Sequence, residues 1–462
     1  NPAPLQYTKG KVSLGLGNYE TIQGDAYWEQ KINPYFTYQI RYKHLSSQFG
    51  PVGDGAYSAT SHHSVQATTK TFYRRAFLSL DLGYRRDVNR FYGYQFISTN
   101  PFNRADSLRQ VFQRYQVQIQ YANTENANRF HYDLKLHFQY FQNKFKVNET
   151  QFGLSSYLSY RLNSSFRIDA DAGVWTMLLR DEKLQNRSFV YFKPAFKFQR
   201  WGLQLAAGAH VVLQNDTISN VSKAQIFPMV KVSYQFKPYL SVSLGYEGNV
   251  ERMTLSQLAA DNPFLRPIRQ AVFNTTQSGQ WYVKLQGKAG AFQYGLSWSE
   301  SKYRNYNFFI NLFADSAKFV ALYETGETNI THLNATLQYQ IASKLRLNLE
   351  GNYRLYQLQT LSVPFHRPNW QIDLQTMYQP LPNLRVQIDL FFWGGIQTVN
   401  PSRQQIVQLP NIVDLNAKVE YRFWKNLSTY LALNNLFATQ YQRYLHYPHQ
   451  GLNFLIGLAY AI

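Results

Sequence analysis

The sequence predicts an all-β fold: a transmembrane antiparallel β-barrel of about 22 strands, with short periplasmic turns and longer outer loops. Three observations predict it. Apolar and polar residues alternate with period two along nearly the whole chain, in segments longer than soluble strands usually reach. Aromatic residues make up 17% of the sequence and charged residues only 16%, against roughly 25% charged in ordinary soluble domains. Turn signals recur between the alternating segments at hairpin spacing.

The alternation is explicit in several segments. Leu345, Leu347, Leu349, Gly351 and Tyr353 alternate with Arg346, Asn348, Glu350, Asn352 and Arg354. Phe130, Tyr132, Leu134, Leu136 and Phe138 alternate with His131, Asp133, Lys135 and His137. The same holds for Tyr38, Ile40 and Tyr42 against Gln39, Arg41 and Lys43, and for Leu384, Val386, Ile388 and Leu390 against Arg385, Gln387 and Asp389. Successive side chains on a strand point to opposite faces, so each segment has one apolar and one polar face. A mean hydropathy of −0.40 excludes a uniformly apolar membrane protein. No run of about 18 apolar residues is present, so a helical span is excluded. Lipid satisfies no unpaired backbone group, so a sheet with its apolar face in lipid must close on itself.

Tight turns are predicted near Asn33-Pro34, Arg74-Arg75, 123–128, Asn163-Ser164, 200–202, Lys237-Pro238, 288–290, Ala342-Ser343, 380–383 and 424–426. Those turns separate eleven hairpins, about 22 strands, at about 42 residues per hairpin over the 462 residues. A period near 42 also suits a propeller blade, but the Gly-His and Trp-Asp signatures are absent and the spacing is uneven. No linker or composition shift divides residues 1–462, which are read as one barrel domain with no plug. The longest outer loops are expected at 46–61, 252–274 and 303–316, and even folded inward together they promise only a thin cover.

The formal net charge is +20 with no Cys. Lys and Arg are scattered along strands rather than massed in one stripe, which argues against nucleic acid and for acidic lipid headgroups or a positive lumen. The lumen-facing candidates are Arg41, Lys43, Asp81, Arg85, Lys135, Asp169, Asp171, Lys231, Arg346 and Glu350, with Arg167 beside them. They serve either a solute path or a hydrated, salt-bridged wall. His62-His63 falls in an expected outer loop, and neighbouring histidines on extended chain diverge, so no metal site is expected. No nucleophile elbow or phosphate-cradling loop is present, so neither catalytic residues nor a cofactor is expected.

Certain motifs resemble a known family. Gly10 through Thr21 (GKVSLGLGNYET) looks like the first barrel strand of TonB-dependent receptors. Asn262-Pro263-Phe264-Leu265 resembles a segment of their central outer loops. Asn434-Asn435-Leu436-Phe437, Tyr441, Tyr447-Pro448, Gly451, Phe454, Gly457 and Tyr460 follow their closing hairpin in order. The last strand, through Phe454, Gly457, Tyr460 and Ile462, resembles a C-terminal signal read by the barrel assembly machinery. The resemblance implies a barrel in the outer membrane of a Gram-negative bacterium, among lipid and lipopolysaccharide, with both termini periplasmic. About nine residues precede the first strand, so neither the family's plug nor its TonB box is expected, and contact with TonB is not expected either.

Three functions follow from this reading. The first is solute transport as the barrel of a TonB-dependent receptor. The second is a plugless accessory or structural barrel within a larger outer-membrane complex. The third is a passive porin. A barrel this wide is expected to be filled in its working state, by a missing N-terminal segment or by a protein partner.

Overall fold

The structure is a computed structural model that describes residues 9–52, 55–94, 108–123, 129–216, 223–236, 239–342 and 344–462. Its main sheet has 22 strands, running from Gly10–Gly17 to Asn453–Ala461, each paired antiparallel with its neighbours. The sheet closes where the first strand pairs with the last, in register from Lys11↔Ala461 to Gly17↔Leu455. At this seam Gly15 lies opposite Gly457. The Tyr430 ring covers both, in the space a Cβ would need. A large ring shielding paired glycines is a known way to stabilise a closely curved sheet.

One end of the barrel carries ten short connections, at 34–35, 73–75, 124–129, 162–165, 201–202, 237–239, 290–291, 342–344, 382–383 and 423–426. The seven connections at 34–35, 73–75, 162–165, 201–202, 290–291, 382–383 and 423–426 coincide with predicted turns, whereas 124–128, Lys237-Pro238 and Ser343, on which the other three predictions fall, lie outside the described residues. Local chemistry sets them. The Asn163 side chain accepts from the backbone N–H groups of Ser165 and Phe166, and Trp201-Gly202 takes positive φ at both positions. That pair of conformations matches the twist of the flanking strands. Exposed aromatics gather at this rim: Tyr35, Tyr73, Trp201, Tyr239 and Trp424. Such a belt suits a lipid–water interface. The paired strand ends at Lys11 and Ala461 also lie on this turn side.

The other, loop side differs from expectation. Its connections carry three extra hairpins, Asn307–Asn311 with Phe319–Tyr323, Gln397–Asn400 with Gln405–Gln408, and Gln442–Tyr444 with Tyr447–Pro448. They also carry a helix, Leu255–Asp261, capped by Thr254. The expected loop 303–316 is really 305–326 and includes the first of these hairpins. Loops 395–411 and 435–452, not counted among the longest, are substantial as well. His62-His63 is on strand Thr60–Phe72 rather than in a loop, because the alternation simply continues through it.

The inner face is identified by what these loops touch. Arg114 and Gln139 bond to Ser256 of the helix, and Arg187 bonds to the Met253 carbonyl. Residues of opposite parity on the same and neighbouring strands, such as Ile119, Leu136, Leu154 and Val174, are exposed apolar side chains on the outer face.

Candidate functional site

The loops pack into a cap with a core of its own. Leu255, Leu258 and Ala259 of the helix, with Leu265 and Val272 of the same loop, meet Phe112, Phe141 and Leu179 of the wall, then Val147, Phe309, Phe319 and Tyr444 from other loops. Two smaller clusters extend it. One is built on Phe308, Val363 and Phe365, the other on Ile396, Leu409, Ile412 and Leu445. The thin cover expected from the loops is therefore corrected: loops contributing apolar residues at several points bury them against one another.

Motifs far apart in the chain meet here. Phe264 stacks on Tyr447 with ring centroids 3.6 Å apart. The Asn262 side chain accepts from the Phe264 N–H at 2.9 Å, and its backbone N–H caps the helix at the Leu258 carbonyl. Phe264 and Phe319 are joined by a backbone bond, and Leu265 bridges Phe319. Asn435, at φ 50°, is buried. Its amide N–H groups donate to the carbonyls of Thr439 and Gln450, which holds the last loop in shape. Asn tolerates this left-handed conformation better than most residues.

Ionic groups anchor the neck of loop 252–274. Arg187 sits between Glu149, at 2.6 Å, and Asp216, at 3.4 Å, all three buried. Glu149 also accepts from the Leu255 N–H at the start of the helix, and Asp216 accepts from the Asn274 N–H. Arg252 supplies a second positive charge nearby. It donates to Gln151 and lies 3.6 Å over the Trp175 ring. Burial pushes the Asp216 carboxyl up, against the pull of Arg187 and the Asn274 N–H. Burial likewise lowers the Arg252 guanidinium to about 10.

His366 ties the cap together. Its Nε2 accepts from the Leu445 N–H at 3.2 Å, so the ring proton belongs on Nδ1, which donates to the Phe309 carbonyl at 2.8 Å. Its backbone N–H donates to the Gln397 carbonyl, so one residue joins three hairpins. Burial lowers its imidazole to about 4, with the positive charges of Arg443 and His446 adding to the effect. Glu324 ties loop 305–326 to loop 358–369 in a similar way. Although burial pushes its carboxyl up, donors from Thr360, Leu361 and Gly326 hold it below the usual carboxylate range.

The predicted lumen residues are mostly bonded to wall neighbours and are not gathered into one site. Asp81 accepts from Thr68, Arg85 pairs with Asp87 at 2.7 Å and Lys135 pairs with Asp133 at 3.1 Å. Asp171 accepts from Tyr191, and Glu350 accepts from Asn334. Arg346 reaches Gln340, while Arg41 and Lys43 are exposed. Only Arg167, Asp169 and Lys231 come together: Arg167 and Lys197 pair with Asp169, and Arg167, Lys197 and Lys231 line one pocket with Arg161. His62 bonds across the strand pair to Asp87 at 2.8 Å. Sequence reasoning missed Glu149, Arg187, Asp216, Glu324 and His366. Their only signal was inward parity or a place between strands, and many residues share that.

No protein-family model matches this chain, and no curated protein matches it. Solved structures do. The siderophore receptor PirA from Pseudomonas aeruginosa aligns with TM-score 0.67 at 11% identity, over 98% of this chain and 79% of that one. The FrpB iron transporter from Neisseria meningitidis (F3-3 variant) aligns at 0.76 and 12%, over 98% and 81%. The ferric-catecholate import receptor Fiu from E. coli K12, in its closed form, aligns at 0.72 and 10%, over 99% and 82%. At these identities the likeness is one of fold: this chain forms a TonB-dependent-receptor-like barrel.

Proposed function

We propose that the chain is the barrel of an outer-membrane transporter that admits a solute through movement of its loop-side cap. The observation that carries this is the union of a receptor-like barrel, a polar inner wall and a cap joined to that wall by a few buried ionic contacts. The proposed setting is the outer membrane of a Gram-negative bacterium, with the turn side and both chain ends in the periplasm. Lipid and lipopolysaccharide surround the outer face, and Phe454, Gly457, Tyr460 and Ile462 act as the assembly signal. A protein partner or a further segment of the polypeptide occupies the lumen. In the resembling family the TonB-contacting box precedes the barrel, so the barrel itself is not proposed to touch TonB. No catalysis is assigned.

The neighbours are named for siderophores and iron, which makes a chelated ferric ion the first solute class to test. Planar-bilayer recording tests the gate. The intact protein should conduct little, and a variant lacking 397–408 should open a large steady current. A large current from the intact protein would instead make it a passive porin. A silent barrel in both forms would favour the second reading, an accessory barrel in a larger complex. The cap's domain-like packing supports that reading, because a rigid lid suits a scaffold.

A further inference from the structure

The inner wall on the turn side holds three neighbouring pockets. One, of about 370 Å³, is lined by Arg161, Arg167, Lys197 and Lys231. The next, of about 420 Å³, includes Lys288. The third, of about 330 Å³, includes Arg346. These linings hold six cations and no carboxylate. Two acids border the arc: Asp169 is already paired with Arg167 and Lys197, and Glu350, across the strand pair from Thr336, accepts from the Asn334 and Asn352 amides. Arg161, Lys231, Lys288 and Arg346 are exposed to the lumen. Between the cations stand side-chain amides: Gln199, Gln204, Gln235, Gln286, Gln293 and Gln338.

We infer that this arc is a docking surface for an acidic polypeptide, an Asp- and Glu-rich face lying in the turn-side mouth. The excess positive charge selects a negative partner. A glutamine amide both donates and accepts, which suits peptide N–H and C=O groups as well as carboxylates. Size separates a polypeptide from a small anion. The arc runs from strand Asn148–Arg161 to strand Leu345–Gln357, and nine strand spacings of about 4.8 Å make it roughly 40 Å long. No small solute bridges that length, whereas a protein surface does. The inference rests on the barrel alone and stands whether or not the protein transports anything.

The test uses the full chain folded in detergent and a fluorescent peptide of about 16 residues alternating Glu and Ser, long enough when extended to span roughly 50 Å. Fluorescence anisotropy at about 0.05 M salt should show binding that weakens steeply by about 0.3 M. The matching Lys-Ser peptide should not bind. The triple variant Lys231→Glu, Lys288→Glu and Arg346→Glu should lose at least about tenfold in affinity, with folding checked by heat-dependent gel mobility. Arg443→Glu, on the cap, should bind like the parent protein. Equal binding by the triple variant, or no binding by the parent protein, would overturn the inference. So would displacement of the peptide by stoichiometric inorganic triphosphate, which would make the arc a small-anion site. Bilayer currents report on transport separately, so the two readings fail independently.

Discussion

The two ends of this barrel have the same wall and opposite interiors. On the loop side, side chains from distant loops bury one another, and even charged groups such as Glu149 and Arg187 are sealed from water. On the turn side, Arg161, Lys231 and Lys288 stand exposed on a polar wall. The strands alternate in the same way at both ends, so the sheet cannot be the cause. The difference comes from connection length. A two-residue turn has no chain to fold inward, and its aromatics such as Tyr35 and Trp201 stay exposed at the rim, while loops such as 252–274 and 305–326 bring a core with them. The lesson is that a barrel's wall sets its shape, and its connections decide which end is closed.

The sharpest way to break this comparison is at the neck of the cap. Arg187→Met should cost about 3–5 kcal/mol, because it strands the Glu149 and Asp216 carboxylates without their cation. Denaturant unfolding in detergent measures it, and a cost below about 1 kcal/mol would show that the neck is hydrated. Next comes the comparison of inner with outer face. Leu347→Arg should cost about 2–4 kcal/mol in lipid if Leu347 sits near the bilayer midplane, while Asn348→Arg, facing the lumen, should cost little. Equal costs would mean that the facing assignment fails.

The third prediction concerns pH. His366 is held neutral with its imidazole lowered to about 4, against about 6.5 in an unfolded chain. Its contribution is therefore present above about 6.5 and is lost as the pH falls through that value towards about 4. At pH 5 the cap should be weaker by about 2 kcal/mol. Limited trypsin cleavage near Arg266, Arg269 and Arg443 reads this directly. It should accelerate between pH 7 and pH 5 in the parent protein, after correction for trypsin's own pH profile, and much less so in His366→Gln. The smallest effect belongs to the turn side. Lys231→Gln should change stability by less than about 0.5 kcal/mol, since an exposed charge on a wet wall contributes little. A larger change would mean that Lys231 is held more tightly than its exposure suggests.

The wall was almost fully legible in the sequence, because period two and turn chemistry are local signals. Asn163, Gly202 and Gly290 mark their turns by residue type alone, and alternation reveals parity at Leu347 or Asp169 without any tertiary knowledge. The cap was not legible. Phe264 and Tyr447 are far apart in the chain, and nothing in either loop's pattern states that the rings stack. The closing-hairpin motif did mark Asn435 and Tyr447, though not what they hold. His366 and Glu324 lie in loops with no periodicity, and their roles appear only once three hairpins converge on His366 and loop 358–369 meets Glu324. His62 shows a milder failure. Its strand placement follows from alternation, but its partner Asp87 is set by cross-strand register, which residue types alone do not fix.

The seam between the first and last strands has a consequence for how this chain must fold. Lys11 meets Ala461 across nearly the full length of the polypeptide, and the entropy of joining two points grows with the chain between them. Neighbouring hairpins zip locally, so the sheet should grow as a curling ribbon with two bare edges and join only at the end. Until it joins, each edge presents unpaired N–H and C=O groups to any other strand nearby. The barrel's hazard is thus kinetic: every strand paired before closure leaves two open edges exposed to mispairing.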